Sequence, residues 1–303
     1  MIPPEIPPSS DPAPASRAGA DTPLPAYVKL RARRNSAIVV VSILLVLITF
    51  LFWYQTWFGR PLTDQEMTRY LADTSVPHKT QHALSQLSER LARGDVAARR
   101  WYPQLLALAR SKEPQLRLLA AWAMGQDNHS EMFHQALRGL VDDPEPLVRE
   151  NAALALVRFA DSAGEPQLRA MLQPYTVVAP KAGAVKFRLK EQDAVSPGAI
   201  LARISPGEDA KPVNVASPLA GEVAHLLAKD GANVSAGDAL AVISPGETQV
   251  WESLRALYLV GQPQDLEDVD RYARGTPHMS ERVRRQAETT AQAIRQRAAQ
   301  GKG

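Results

Sequence analysis

Few side chains in this sequence have the type and spacing that chemistry requires, and the histidines come nearest. His78 and His82 stand four residues apart, which places both on one face of a helix at a spacing that can hold a metal ion. A metalloprotease motif also needs a glutamate directly after the first histidine, and none follows His78. His129 and His134 are five apart and suit a metal less well. We therefore interpret the first pair as surface residues and expect no metal site.

Several classes of protein are excluded by what the sequence lacks. It contains no cysteine, which removes disulfides, thiolate zinc sites, iron–sulfur clusters and cysteine nucleophiles. It also contains no nucleophile elbow, phosphate-binding loop or dinucleotide fingerprint. Lys and Arg number 35 against 32 Asp and Glu, and so small a surplus does not indicate a nucleic-acid binder. We expect a protein that is not an enzyme, binds no cofactor and contacts no nucleic acid.

The N-terminal part of the chain predicts a membrane anchor. Residues 1–34 form a proline-rich tail with a basic flank, and we expect disorder there because proline neither donates a backbone hydrogen bond nor continues a helix. Residues 37–54 carry no charge and end in a cluster of aromatic rings, as is typical of a transmembrane helix. A buried helix and a cleaved signal peptide are the alternatives. We predict a transmembrane helix over 35–59 that contacts the lipid bilayer through residues 37–58.

The charges that flank this apolar run predict its orientation. Lys29, Arg31, Arg33 and Arg34 precede it, whereas basic and acidic residues are mixed after it. By the positive-inside rule, the N-terminus lies in the cytoplasm and the later domains lie outside. The expected localisation is a bacterial inner membrane, crossed once, with the C-terminal domains in the periplasm.

Two segments, residues 60–175 and 248–300, predict paired amphipathic helices. The first segment contains a repeat with a period of 32 residues, in which the run Glu113–Arg117 matches the run Glu145–Arg149. A proline follows the glutamate in each run, where it opens a helix well because its missing amide would be unpaired there. The alanines that follow match at the same offset, and small side chains let helices approach closely: Ala120, Ala121 and Ala123 fall on Ala152, Ala153 and Ala155.

This pattern of an acidic residue, a Val or Leu followed by Arg, and then spaced alanines resembles HEAT repeats of the bacterial lyase-like kind. Its clearest copy runs from Val148–Arg149 to Ala160. The resemblance implies an α-solenoid that offers extended surfaces to other proteins. Trp101, Tyr102 and Trp122 could line a binding groove, but aromatic residues in such a solenoid usually belong to its core.

Residues 176–247 interrupt the helical repeats with a duplicated β module. Residues 177–208 and 215–247 share their turn and strand positions, and the alternation of apolar residues, as at Val185 and Phe187, predicts half-buried strands. An insertion of this kind is tolerated where its two ends lie close together. The matched positions are Pro180, Gly183, Val185 and Leu189 in the first half and Pro218, Gly221, Val223 and Leu227 in the second.

The duplicated motif resembles the biotinyl/lipoyl-type barrel-sandwich hybrid domain, which occurs in enzyme carrier domains and in membrane-fusion-type adaptors. In carriers of that family, a lysine at the tip of the hairpin that joins the two halves receives the prosthetic group. Lys211 lies near that place, but Pro212 follows it, and the order Asp-Ala-Lys-Pro departs from the family's pattern. We interpret Lys211 as an unmodified loop lysine and keep a biotinyl or lipoyl carrier modified at Lys211 as the alternative.

Together these features predict a multidomain α+β protein with a single transmembrane helix, a HEAT-like α-solenoid and an inserted all-β barrel-sandwich hybrid. We expect a membrane-anchored scaffold or adaptor subunit of a cell-envelope complex, whose partners are other membrane or envelope proteins. Most charged residues in the C-terminal stretch Arg282–Lys302 are basic, so this stretch could bind an acidic partner or anionic lipid. A solvated helix face is the simpler interpretation of that stretch.

Overall fold

The computed structural model describes residues 39–51, 60–207 and 210–300 of the chain. Backbone contacts divide the chain into two compact units, Met1–Pro61 and Leu62–Gly303. The second unit holds all the described strands and every described helix but one.

Within the first unit, residues 39–51 form a helix whose apolar side chains are exposed. Among the described residues, no helix combines the length and the apolar character that crossing a membrane requires. The prediction of a transmembrane helix over 35–59 is therefore wrong. The rest of that segment, like the tail at 1–34, lies outside the described residues.

Three further predictions depended on that helix and are corrected with it. The predicted fold class included a single transmembrane helix, whereas the described residues form a mixed α/β fold in which no helix is long and apolar enough to span a membrane. The single-pass inner-membrane localisation, with a cytoplasmic N-terminus and periplasmic C-terminal domains, is not supported. Lipid contact through residues 37–58 has no support either.

The second unit contains, in its described part, ten α-helices that follow one another as five consecutive pairs. Short 3-10 turns directly precede the first helix of the second, fourth and fifth pairs, at Val96–Trp101, Ser162–Gly164 and Pro263–Asp265. The pairs are α1 Asp64–Ala72 with α2 Pro77–Ala92, α3 Tyr102–Leu108 with α4 Pro114–Met124, α5 Glu131–Leu140 with α6 Pro146–Val157, α7 Glu165–Ala170 with α8 Glu247–Val260, and α9 Leu266–Ala273 with α10 Glu281–Gln300.

Local signals in the sequence explain where several of these helices begin. Pro114 and Pro146 occupy the first turn of α4 and α6, where a missing backbone amide leaves no hydrogen bond unmade. The helix α5 begins instead after Ser130, whose hydroxyl accepts a hydrogen bond from the amide of Phe133 at 3.4 Å. The 32-residue repeat of the sequence therefore becomes a repeat of helix pairs.

The second helix of each pair packs against the second helix of the next pair, so that α2, α4, α6, α8 and α10 form one continuous row. Ala120 and Ala123 of α4 and Ala152 and Ala155 of α6 are buried in this row. Such small side chains let the helix backbones approach, and the burial of the apolar faces supplies most of the stability of short helices. The row also continues past the β segment, because α8 packs on α6.

The arginine that ends each repeated motif makes an equivalent backbone contact in both copies. Nη1 of Arg117 donates a hydrogen bond to the carbonyl of Ser111 at 3.0 Å. Nη1 of Arg149, one repeat later, donates to the carbonyl of Asp143 at 2.7 Å. Each guanidinium thus donates a hydrogen bond to a backbone carbonyl in the turn before its own helix. This bond satisfies a carbonyl that no helix or strand hydrogen bond reaches.

Eight strands lie between α7 and α8 and form two antiparallel sheets. They are β1 Tyr175–Val178, β2 Gly183–Phe187, β3 Ala194–Val195, β4 Ile200–Ser205, β5 Val213–Ala216, β6 Gly221–Leu226, β7 Asn233–Val234 and β8 Ala239–Pro245. One sheet has the order β1-β8-β6-β3 and the other β5-β4-β2-β7. Each sheet therefore takes strands from both halves of the duplicated sequence.

The two halves share one apolar core. Val185 and Leu201 of the first half are buried there together with the matching Val223 and Leu240 of the second half. The described strands nevertheless remain two separate four-stranded sheets. The barrel-sandwich hybrid predicted for this segment is therefore corrected to a pair of antiparallel sheets.

The chain enters and leaves the sheets side by side, because β1 pairs with β8 and Tyr175 lies opposite Ile243. The helices α7 and α8 that flank the sheets then pack on each other. The buried hydroxyl of Ser253 in α8 donates to the carbonyl of Leu168 in α7 at 2.5 Å. This helix pair is complete although the whole β segment separates its two members in the sequence.

Candidate interaction groove

The second helices α4, α6 and α8 enclose a groove with a volume of about 320 Å³. Trp122 from α4 and Leu259 from α8 line it and are strongly accessible, with 41% and 60% of their surface exposed. Leu154, from the intervening helix α6, is half-buried in the same lining. Accessible apolar side chains on α4 and α8, with a half-buried one on α6 between them, form the kind of surface that a partner can bury.

Small residues set the spacing of the helices around the groove. Gly125 ends α4 and lines the groove together with Ala155 of α6. A Cβ atom added at Gly125 would lie 2.8 Å from the Cβ of Ala155, closer than real Cβ atoms approach. The groove therefore depends on glycine at this position.

A chain of hydrogen bonds holds the guanidinium of Arg158 beside the groove. Arg158 Nη1 donates to Oε1 of Gln126 at 3.0 Å, and Nε2 of Gln126 donates to the carbonyl of Trp122 at 3.1 Å. The side-chain amide of Asn128 also donates a hydrogen bond, through Nδ2, to the backbone carbonyl of Arg158 at 2.8 Å. These bonds connect the ends of α4 and α6 and keep an exposed positive charge in the lining.

A second cation lies on the other side of the groove, on α8. The guanidinium of Arg255 lies 4.6 Å from the ring centroid of Trp251, and that of Arg282 lies 3.6 Å from the same centroid. A guanidinium near an aromatic face is attracted by the negative charge of the ring face. Arg255 is thereby oriented while it remains exposed in the groove.

A weakly acidic side chain lies where α6 meets α8. Gln249 Nε2 donates a hydrogen bond to Oε1 of Glu150 at 2.8 Å. Burial raises the pKa of Glu150 to about 7, although the charge of neighbouring Arg149 acts in the opposite direction. Near pH 7 this carboxyl is therefore about half ionised, whereas a carboxyl with the ordinary pKa would be fully ionised.

Sequence reasoning missed a buried pair of carboxyl groups, Glu165 and Asp265, which lie far apart in the chain. Arg169 Nη1 lies 3.8 Å from an oxygen of each. Glu165 Oε1 and Asp265 Oδ1 are buried without a hydrogen-bond donor among the described residues. Burial, and then the hydrogen bond with Glu165, raise the pKa of Asp265 to about 7. A proton on one carboxyl can thus be shared with the other.

The histidines singled out in the sequence lie in different surroundings. His78 is exposed, whereas His82 is half-buried and its Nε2 lies 3.0 Å from Nε2 of Gln86. His134 is engaged with a different acid, with its Nε2 2.7 Å from Oδ2 of Asp161. In the part of the chain that the structure describes, no group of three His, Cys, Asp or Glu side chains could hold a metal ion.

Lys211 lies in the hairpin between β4 and β5, whose pairing places Ile204 opposite Val213. Its side chain is exposed. Residues 208–209 of the same hairpin lie outside the described residues. The exposure of Lys211 agrees both with an unmodified loop lysine and with a lysine that carries a biotinyl or lipoyl group.

The three aromatic residues considered from the sequence separate into two groups. Trp101 and Tyr102 are buried; Trp101 Nε1 donates to Oγ1 of Thr68 at 2.9 Å, and the Tyr102 hydroxyl donates to Asp127. Trp122 is instead exposed in the groove, although the resemblance to a solenoid favoured a core position for it. Of the three, Trp122 alone is placed to contact a partner.

The basic C-terminal stretch Arg282–Lys302 is described only as far as residue 300. Much of its positive charge is already paired within the helical unit. Arg284 Nη2 lies 2.5 Å from Oε1 of Glu281, and Arg295 Nη2 lies 2.6 Å from Oδ2 of Asp270. These ion pairs leave less charge available to a partner than the sequence alone indicates.

The fold and the groove together define a class of protein, in which helix pairs stack in a row and an antiparallel β module lies between the two helices of one pair. Residues 102–181 match a family model described as HEAT repeats. This match confirms the HEAT part of the resemblance seen in the sequence, whereas the membrane-fusion-type adaptor is not confirmed. HEAT repeats suggest a scaffold for protein–protein interaction.

Two solved structures are similar to parts of the chain. The product-bound ectoine utilization protein EutE (DoeB) from Ruegeria pomeroyi is 24% identical over 23% of this chain and 22% of that chain, with a TM-score of 0.21. A single-chain, multi-domain long-chain acyl-CoA carboxylase is 20% identical over 51% of this chain and 14% of that chain, with a TM-score of 0.23. This chain thus spans only a small part of either structure, and neither likeness carries a functional argument. No curated protein matches the sequence.

Proposed function

We propose that this chain is a protein–protein interaction scaffold whose partners bind in the groove formed by α4, α6 and α8. The observation that carries the proposal is the exposure of Trp122 and Leu259 around that groove. Burial of such side chains against a partner is worth roughly 25 cal/mol for each Å² removed from water. The proposal assigns the chain no catalytic step of its own.

The β module extends this proposal from a scaffold to an adaptor. It has an apolar core of its own and joins the helices through two adjacent strand ends, β1 and β8. A compact block attached in this way can hold a second partner while the helical groove holds the first. The adaptor role therefore predicts two binding surfaces that mutations can separate.

The test compares two matched substitutions in the full chain, purified under native conditions from cells that produce it. Leu259→Gln replaces an exposed apolar side chain inside the groove, and Met132→Gln replaces one, 55% exposed, outside it. Glutamine favours helix about as well as leucine and methionine, so neither change should alter folding. We expect copurifying proteins to be depleted from the Leu259→Gln sample only. Identical recovery from both variants, or no recovery from the wild type, contradicts the proposal.

A carrier function remains the second candidate, and one observation favours it: Lys211 is exposed in the hairpin that joins the two halves of the β module. Intact mass of the native protein distinguishes the two functions. A mass equal to that of the unmodified chain supports the scaffold. A biotinyl or lipoyl increment that disappears in Lys211→Arg supports the carrier.

A further inference from the structure

Positive charge at the groove is not neutralised within the described part of the protein. Arg158 and Arg255 line the groove, and neither forms an ion pair with a described carboxylate; their contacts are Gln126 and the Trp251 ring. Arg282, the second guanidinium over Trp251, likewise has no ion pair with a described residue. These cations are available to an acidic group from outside.

The negative charge in the lining is smaller than the positive charge. Glu252 is the one carboxylate among the described lining residues, and it faces the same groove as Arg158 and Arg255. Glu252 lies one helical turn before Arg255 on α8, but no ion pair joins them. An acidic group that enters the groove is therefore attracted by two guanidiniums and repelled by one carboxylate.

The apolar part of the lining adds a second requirement for the ligand. Trp122 and Leu259 lie on α4 and α8, so that an apolar side chain entering between them contacts both flanks of the groove. A volume of about 320 Å³ suits the anchoring side chains of a peptide and is too small for a folded domain. Buried aromatic or aliphatic anchors supply most of the energy at such surfaces.

We infer that the groove binds a peptide segment of a partner protein in which an acidic side chain lies beside an apolar anchor. The carboxylate pairs with the guanidinium of Arg158 or Arg255, which can donate two parallel hydrogen bonds, and the anchor packs against Trp122 and Leu259. This inference rests on the proposed scaffold function and adds the chemistry of the partner. Neutral and basic segments lack the group that the two guanidiniums recognise.

The experiment uses a library of random peptides displayed on phage and selected on the immobilised full chain. Peptides enriched on the wild type are synthesised, and their dissociation constants are measured for wild type, the double variant Arg158→Glu/Arg255→Glu, and the control Arg110→Glu. Arg110 is exposed and lies outside the groove. Circular dichroism and thermal unfolding confirm that each variant is folded before binding is measured.

We expect the enriched peptides to carry Asp or Glu next to an aromatic or aliphatic residue. Their affinity should fall by about tenfold or more in the double variant, because two attractive charges become repulsive, and should be unchanged in the control. Enrichment of neutral or basic peptides, equal affinity for the double variant, or no enrichment at all overturns the inference. The Leu259→Gln variant separates the two proposals. If the enriched peptides carry no acidic residue but bind the Leu259→Gln variant more weakly, the inference about acidic peptides fails and the scaffold proposal stands. If binding is the same in the Leu259→Gln variant, the scaffold proposal fails as well.

Discussion

The guanidinium of Arg117 donates two hydrogen bonds to the carboxylate of Asp143, 2.7 Å from Nε to Oδ2 and 2.8 Å from Nη2 to Oδ1. Asp143 is buried, and only 12% of the Arg117 side chain is exposed. The pair joins α4 to the turn between α5 and α6. It is a bidentate ion pair that connects one helix pair to the next.

The first prediction concerns this ion pair. Arg117→Ala leaves the buried carboxylate of Asp143 without its partner, and we expect it to lower the free energy of unfolding by about 2–4 kcal/mol. The matched control is Arg285→Ala, which removes an exposed ion pair with Glu281. Pairs of that kind are worth about 0–1 kcal/mol. Urea unfolding of both variants measures the difference, and equal losses would show that the buried pair is not what connects the repeats.

The second prediction concerns the contact between α4 and α6. Gly125→Ala introduces a methyl group 2.8 Å from the Cβ of Ala155, so the helices must separate, and we expect a loss of about 1–3 kcal/mol in stability. Gly139→Ala is the control, because a Cβ there meets no atom within 4 Å. Alanine at position 139, inside the helix α5, should raise the free energy of unfolding by up to about 1 kcal/mol. Thermal unfolding should move the two melting temperatures in opposite directions; a shift in the same direction contradicts this packing.

The third prediction is a dependence of stability on pH that comes from Asp265. Its pKa is about 7 in the folded protein, above the ordinary value of 3.8, so the folded state keeps a proton that the unfolded state releases. The contribution of this proton to the free energy of unfolding is fully present below pH 3.8. It is lost as the pH rises towards 7, and the loss is on the order of 1–3 kcal/mol. Asp265→Asn is neutral at every pH and keeps an oxygen that can accept from the amide of Gln262.

Urea unfolding between pH 5 and pH 8 tests this dependence. The wild type should lose stability over that interval relative to Asp265→Asn. The control Asp142→Asn changes an exposed carboxylate and should follow the wild type. Parallel curves for wild type and Asp265→Asn would mean that the carboxyl pair does not share a proton.

The fourth prediction concerns the β segment. Replacing residues 175–245 with a short Gly-Ser linker should leave the helical unit folded. Tyr175 and Ile243 are paired across β1 and β8, with about 5 Å between directly opposed Cα atoms, so a short linker can bridge the helices. The contact between Ser253 and Leu168 does not involve the strands. Far-UV circular dichroism should retain the helical signal with one cooperative transition. A loss of cooperative unfolding would mean that the helices need the sheets.

The repeat could be predicted from the sequence because its signals are local. A glutamate, a proline and an arginine stand at fixed spacing in both copies, and Arg117 and Arg149 make equivalent contacts in the structure. The same period relates two residues of the groove lining, because Trp122 and Leu154 are 32 residues apart. That correspondence became visible only with the structure, because the apolar residues of a helical repeat usually belong to its core.

Other features could not be predicted from the sequence because they depend on tertiary structure. Glu165 and Asp265 meet only when α7 and the turn before α9 pack together, and no local spacing indicates that contact. The membrane prediction depended on local composition. An uncharged run from 37 to 54 satisfies a composition rule, but no helix among the described residues has the length and apolar character that crossing a membrane requires.

The central claim, that partner proteins bind in the groove of α4, α6 and α8, is tested most directly by site-specific photocrosslinking. A photoreactive phenylalanine analogue is placed at Leu259 inside the groove and, in a separate protein, at Met132 outside it. After irradiation in native cells, we expect a covalent adduct with a partner from position 259 and none from position 132. Adducts of equal yield from both positions, or from position 132 alone, would contradict the claim.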